Sequence, residues 1–138
     1  MEEAERKAMA TSIEILAAIA FFTTGVSHLV QPRIWARFFV QLARHGELGI
    51  FIIAFYTLPI GVLIVAFHNV WSGWPTVLTI IGWAFCLKSF IYFAAPKAGL
   101  AAISRIQETS AGKFVVAGIM MILLSGACAY WASVHLAA

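Results

Sequence analysis

The sequence predicts an all-α membrane protein, with four transmembrane helices arranged as two helical hairpins in parallel repeat. Each hairpin carries an amphipathic connecting segment at the cytoplasmic face. Three observations predict this: a scarcity of charge, four long apolar windows, and a weak internal repeat. Of 138 residues, 62% are hydrophobic and 11% charged, with a mean hydropathy of +0.93. Soluble domains carry about 25% charged residues. All six acidic residues are Glu. So few charges cannot coat a water-facing surface, and lipid must be the solvent for most of the chain.

A helix needs ~20 apolar residues to cross the hydrocarbon core. Four windows qualify, at residues 11–30, 48–67, 76–95 and 114–135, within one domain spanning 1–138. Backbone amides in lipid must pair within their own segment, which selects helices. Period-two alternation, the mark of barrel strands, is absent. The first window is too long for a signal-peptide core, and its leader MEEAERK is mixed in charge.

Orientation follows from Lys and Arg in the short connections. Arg33, Arg37 and Arg44 lie in the first connection, and Lys97, Arg105 and Lys113 in the third. The other side has only Arg6 and Lys7, diluted by Glu2, Glu3 and Glu5. This predicts both long connections in the cytoplasm and both termini outside. Trp71, Trp74, Tyr130 and Trp131 then fall at the outer interface, where amphipathic rings settle.

Sliding the chain by 64 residues lays Pro32-Arg33 over Pro96-Lys97 and residues 50–58 over 114–122. Each half then reads as helix, proline break, basic segment, helix, a parallel repeat about the membrane normal. In RIWARFFVQLAR, Arg33, Arg37, Gln41 and Arg44 share one helical face, with Ile34, Trp35, Phe38, Phe39 and Leu42 opposite. That pattern suits an interfacial helix, with Arg33, Arg37 and Arg44 contacting anionic headgroups. A solvated connection is the plainer reading.

Lys88 is the sharpest candidate for function, roughly 18 Å below the outer end of its span at ~1.5 Å per residue. A lysine at that depth costs about 2.5–3.5 kcal/mol and so tends to face a bundle, a cavity or a partner. Snorkelling is disfavoured because helical side chains lean toward the helix N-terminus, here the farther surface. Thr24, Tyr56 and Thr57 share its level, Ser27 and His28 lie one turn nearer the cytoplasm, and Ser89 and Tyr92 continue its stripe. With Glu14 near the outer end and Glu47 and Glu108 cytoplasmic, Lys88 has no counter-ion in its own chain. The hydroxyls alone are also common as helix-packing groups.

His68, Asn69 and Trp71, with His135, form a second cluster at the outer face. It reads either as an outer site for a metal or polar headgroup or, more simply, as a helix end with His and Asn satisfying terminal carbonyls. Cys86 and Cys128 lack metal-site spacing and read as small packing residues. Gly118, Ser125, Gly126 and Ala127 read as close helix packing. No phosphate-binding loop, nucleophile elbow, metal-site or paired-carboxylate motif is present, so no cofactor or metal is expected. Nucleic-acid binding is excluded, because membrane topology already accounts for the basic residues.

The stretch HNVWSGWPTVLTIIGWAFCLKSFIYFAAP resembles a family of small four-helix bacterial inner-membrane proteins to which no activity is attached. His68, Asn69, Trp71, Gly82, Trp83, Lys88 and Pro96 carry the resemblance, over about a quarter of the chain. It implies a multi-pass protein of the bacterial inner membrane and adds weight to Lys88 and His68.

The leading expectation is a channel- or transporter-like homo-oligomer for an anion or small polar solute, using Lys88 and the nearby hydroxyls. The alternative is a non-catalytic accessory or scaffold subunit that binds lipids or a larger membrane complex. A membrane enzyme ranks last, since acid–base chemistry is hard to stage without carboxylates inside the spans.

Overall fold

The structure, a computed structural model, describes residues 1–137. Every regular element among them is helical: α1 (Glu2–Val30), α2 (Pro32–Arg44), α3 (Glu47–Phe67), α4 (Thr76–Ala94), α5 (Pro96–Ile103), a 3₁₀ turn at Glu108–Ser110, and α6 (Ala111–Ala137). Helices α1, α3, α4 and α6 are long and apolar enough to cross a membrane. Four crossings put both termini at one end of the bundle, the terminal end. Helices α2 and α5 lie at the other, the connector end.

The breaks between elements have local causes. A residue before proline is pushed out of the α region, and Gln31 (φ −126°, ψ 46°) and Ala95 (φ −139°, ψ 67°) leave helical geometry before Pro32 and Pro96. Each proline then opens the next helix, where its missing N–H costs nothing. Gly46 and Gly73 hold positive φ, 60° and 66°, in the turns entering α3 and α4, a region L side chains avoid. Helix α1 begins nine residues before the apolar window. Its first turn holds Glu2, Glu3 and Glu5, which suit the positive end of the helix dipole.

Two close pairings dominate the packing: α1 lies against α6, and α3 against α4. Glycines set both distances. A Cβ on Gly118 would stand 2.8 Å from the Gly25 carbonyl oxygen. A Cβ on Gly61 would stand 2.8 Å from the Cys86 nitrogen and 2.9 Å from the Gly82 oxygen. Backbones touch directly at both crossings, the usual device where lipid supplies no hydrophobic drive between helices. Ser125 adds a hydrogen bond of 2.7 Å to the Ala18 carbonyl across α1 and α6.

An apolar cluster near the terminal end joins the two pairs through Ile13, Ala17, Ala18, Ile64, Leu78 and Cys128. A second, at the connector end, gathers Leu42, Ile50, Ile53 and Ile103 under α2 and α5. Leu16, Ile19, Phe55, Leu87, Phe90 and Leu123 are all exposed, the inside-out arrangement expected when lipid tails are the solvent. On α2, Trp35, Phe39 and Leu42 pack inward, while Ile34 and Phe38 stay exposed beside Arg33, Arg37, Gln41 and Arg44.

Candidate functional site

The polar residues toward the connector end divide into two groups. On the α3–α4 pair, Thr57 and Ser89 hydroxyls lie 2.7 Å apart, with Ser89 fully buried. Thr57 gives its proton to the Ile53 carbonyl at 2.9 Å, so Ser89 donates to Thr57. Lys88 is half-buried with its ammonium 5.3 Å from the Tyr92 ring centre. No carboxylate pairs with it among the described residues. Tyr56, predicted at the same level, is 70% exposed and faces outward.

The other group sits where α1 meets α2. His28 Nδ1 donates to the Thr24 carbonyl at 2.8 Å, and its ring stacks on Trp35 at 4.1 Å. Trp35 Nε1 donates to Ser27 Oγ at 3.0 Å. This corner braces the exit from the first span. No hydrogen bond joins it to the Lys88 group among the described residues, so the predicted inner layer is two separate polar spots.

The terminal end holds the one cluster of buried ionisable groups among the described residues. Glu14, three residues into the first apolar window, is 1% exposed. Its Oε1 lies 3.2 Å from His68 Nε2 and its Oε2 3.0 Å from His135 Nδ1. The carboxylate therefore ties α1 to the start of the α3–α4 turn and to the end of α6. His68 is fully buried and His135 half-buried. A charge inside a bundle persists only with such partners.

Thr79 completes the cluster. Its Oγ1 lies 2.8 Å from each of the His68 and Val70 carbonyls, accepts the Val70 N–H at 3.1 Å, and stands 3.4 Å from His68 Nδ1. A hydroxyl has one proton and rotates freely. With His68 neutral and donating from Nε2, Thr79 can turn its proton toward Nδ1. With His68 doubly protonated, Thr79 gives its proton to a carbonyl and accepts from Nδ1. That one proton serves only one of the three acceptors around Oγ1 at a time.

Glu14 also lines a crevice between α4 and α6. A cavity of about 50 Å³ there is lined by Glu14, Phe21, Trp74, Leu78, Cys128 and Trp131. Lys88 lies seven residues beyond Ile81, a residue that also lines this cavity, on the same face of α4 and roughly 10 Å deeper.

Sequence reasoning placed His68 and His135 at one face and missed the residue that joins them. The expectation that no carboxylate lies within the spans is corrected by Glu14. The signal was its depth, for Glu14 and Thr79 both stand three residues in from the same ends of their windows. The helix-end reading of His68 is also revised. Its side chain turns inward to Glu14, and Thr79 takes the terminal carbonyl. Asn69 stays exposed, accepting from Trp71 Nε1 at 2.8 Å. Both cysteines are free, and the described residues hold no cluster suited to a metal ion. No family model, curated protein or solved structure matches the chain.

Proposed function

We propose that the chain is a channel- or transporter-like membrane protein for a small polar solute, with Glu14, His68 and His135 as its outer station. Lys88, with Thr57, Ser89 and Tyr92, forms an inner station along the same bundle. The observation that carries the reading is the buried Glu14 carboxylate held by two imidazoles. Stability does not account for it, because replacing both partners of a buried hydrogen bond by apolar groups of the same shape can leave a protein as stable or more so.

Four spans of this length barely enclose a path, and the Gly61–Gly82 contact closes the α3–α4 interface. A route along the α4–α6 crevice, completed by a second copy, is therefore part of the proposal. So are an orientation with both termini outside, placement in the bacterial inner membrane, and descent of the two halves from one hairpin. The matching proline breaks before α2 and α5, and the basic residues of both connections, support these.

Purified protein in liposomes should pass small ions or polar solutes faster than empty vesicles. Glu14→Gln should reduce that flux to background, and Lys88→Met should lower it. Wild-type flux equal to that of empty vesicles, or flux unchanged in both variants, overturns the transport reading. The exposed Arg33, Arg37 and Arg44 beside exposed Ile34 and Phe38 favour a second reading, an accessory subunit docked on anionic lipid or a larger complex. Consistent co-purification with one membrane complex, without flux, is its expected result.

A further inference from the structure

We infer that the crevice between α4 and α6 seats an anionic phospholipid of the connector-side leaflet, with its headgroup on Lys88 and an acyl chain along the crevice wall. The two halves of that ligand answer two different parts of the structure. The terminal half of the crevice is almost wholly apolar, walled by Phe21, Ile81, Leu124 and Trp131. Glu14 closes its far end, with both carboxyl oxygens already taken by His68 and His135. Such a wall suits a hydrocarbon chain. At ~10–15 Å³ per water-sized group, the cavity of about 50 Å³ takes roughly four chain carbons.

Lys88 supplies the other half. It follows Ile81 by seven residues, on the same face of α4 and roughly 10 Å nearer the connector end. Its ammonium stands 5.3 Å from the centre of the Tyr92 ring, one turn further on. That ring packs against Gly99 of α5, where an added Cβ would stand 2.9 Å from Tyr92 Cδ1. The side chain therefore reaches toward the connector end, against the N-terminal lean that the sequence predicts for it. No carboxylate among the described residues pairs with it.

An ammonium turned toward the headgroups, with an apolar crevice running inward from it, matches a lipid of that leaflet in polarity and in direction. The rest of this end repeats the sign, for Arg33, Arg37, Arg44, Lys97, Arg105 and Lys113 stand there against only Glu47 and Glu108. Lys88 differs from those six in being half-buried beside a groove, so it holds one lipid in place while they attract a shifting layer. A chain lying in the crevice would also cover its open side within a single protein, the role that the transport reading gives to a second copy.

Binding alone is required, so the assignment stands apart from the transport reading. The full chain, purified in mild detergent, is equilibrated with equal amounts of phosphatidylglycerol and phosphatidylcholine bearing the same chains. Native mass spectrometry then counts the lipids retained. The first lipid held should be phosphatidylglycerol by about fivefold, the ratio that ~1 kcal/mol per basic residue gives. Lys88→Met should bring that ratio close to one, and Lys88→Arg should keep it. Replacing Arg33, Arg37 and Arg44 together by Gln should thin the later, looser lipids and spare the first. Ala127→Phe, at an exposed position on the crevice wall, should lower occupancy by the first lipid severalfold. An excess of glycerol phosphate, a headgroup without chains, should not displace it.

Equal retention of the two lipids, a preference that survives Lys88→Met, or loss of the first lipid in the arginine variant overturns the assignment. Displacement by glycerol phosphate does the same and makes the site one for a free phosphate. Should Lys88→Met not fold, full retention of the first lipid by Ala127→Phe is the contrary result. Selective retention without liposome flux keeps the assignment and ends the transport reading, and flux without selective retention does the reverse.

Discussion

Glu14→Leu is expected to destabilise the folded chain by about 1–3 kcal/mol, the cost of leaving a buried hydrogen-bonding group without its partner. His68 is fully buried and has no water to replace Glu14 Oε1 at Nε2. His135 is half-buried and recovers a partner from solvent or headgroups, so most of the loss belongs to His68. Glu14→Gln should lose less, since its amide oxygen still accepts one N–H while its amide nitrogen opposes the other imidazole. The double variant Glu14→Leu/His68→Leu should be more stable than the sum of the single losses implies, because removing both partners leaves no unpaired polar atom. Reversible unfolding in mixed micelles, run as a double-mutant cycle, measures the coupling. A Glu14→Leu variant as stable as the wild type would mean that the clasp contributes nothing to the fold.

Gly61→Val should separate α3 from α4. Its added carbons meet backbone atoms, the Cys86 nitrogen and the Gly82 oxygen, which cannot turn aside as a flexible side chain could. Overpacking a tight contact costs typically 1–3 kcal/mol, occasionally more, and here the helices themselves must move. The Thr57–Ser89 hydrogen bond crosses the same interface and should break with it. Gly118→Val should act alike on the α1–α6 pair, through the Gly25 carbonyl. Gly126→Ala is the matched control, since a Cβ there meets nothing within 4 Å. It should leave stability unchanged or slightly raised, because alanine forms helix better than glycine. Thermal unfolding in one detergent compares the three variants with the wild type, and a Gly61→Val protein no less stable than Gly126→Ala contradicts the direct backbone crossing.

The contrast between Gly118 and Gly126 shows what the sequence could convey. Both stood out as small residues in the fourth span, but only Gly118 faces a neighbour. Ser125, seven residues on and nearly two helical turns away, shares its face and bonds to Ala18. Gly126 is one step further round and meets open space. Hydropathy finds a span without saying which of its faces is covered, so the four spans were legible and their pairing was not. The early start of α1 was hidden for a related reason. Charged residues end an apolar window, yet Glu, Arg, Lys and Ala at positions 2–8 are all good helix formers.

The site was half legible. His68 and His135 could be placed at one level because each closes an apolar window, and Lys88 drew attention because it interrupts one. Glu14 was discounted by the same counting that placed it near a span's end. Depth along the membrane was right, but depth is one coordinate of three. Burial depends on which helices stand around the residue, and α3, α4 and α6 all contribute to covering Glu14. Tyr56 shows the opposite failure, for it lies at the Lys88 level but on the exposed side of α3.

The joining of three spans by one carboxylate is the claim on which the rest depends, and carbon–nitrogen dipolar recoupling in lipid bilayers tests it most directly. The chain is labelled at the Glu carboxyl carbons and the His ring nitrogens, with Glu14 assigned by loss of its signal in Glu14→Leu. The account predicts that the Glu14 carboxyl carbon couples to His68 Nε2 and to His135 Nδ1 together. A Glu14 carbon that couples to neither imidazole, with both rings exchanging freely with water, contradicts it.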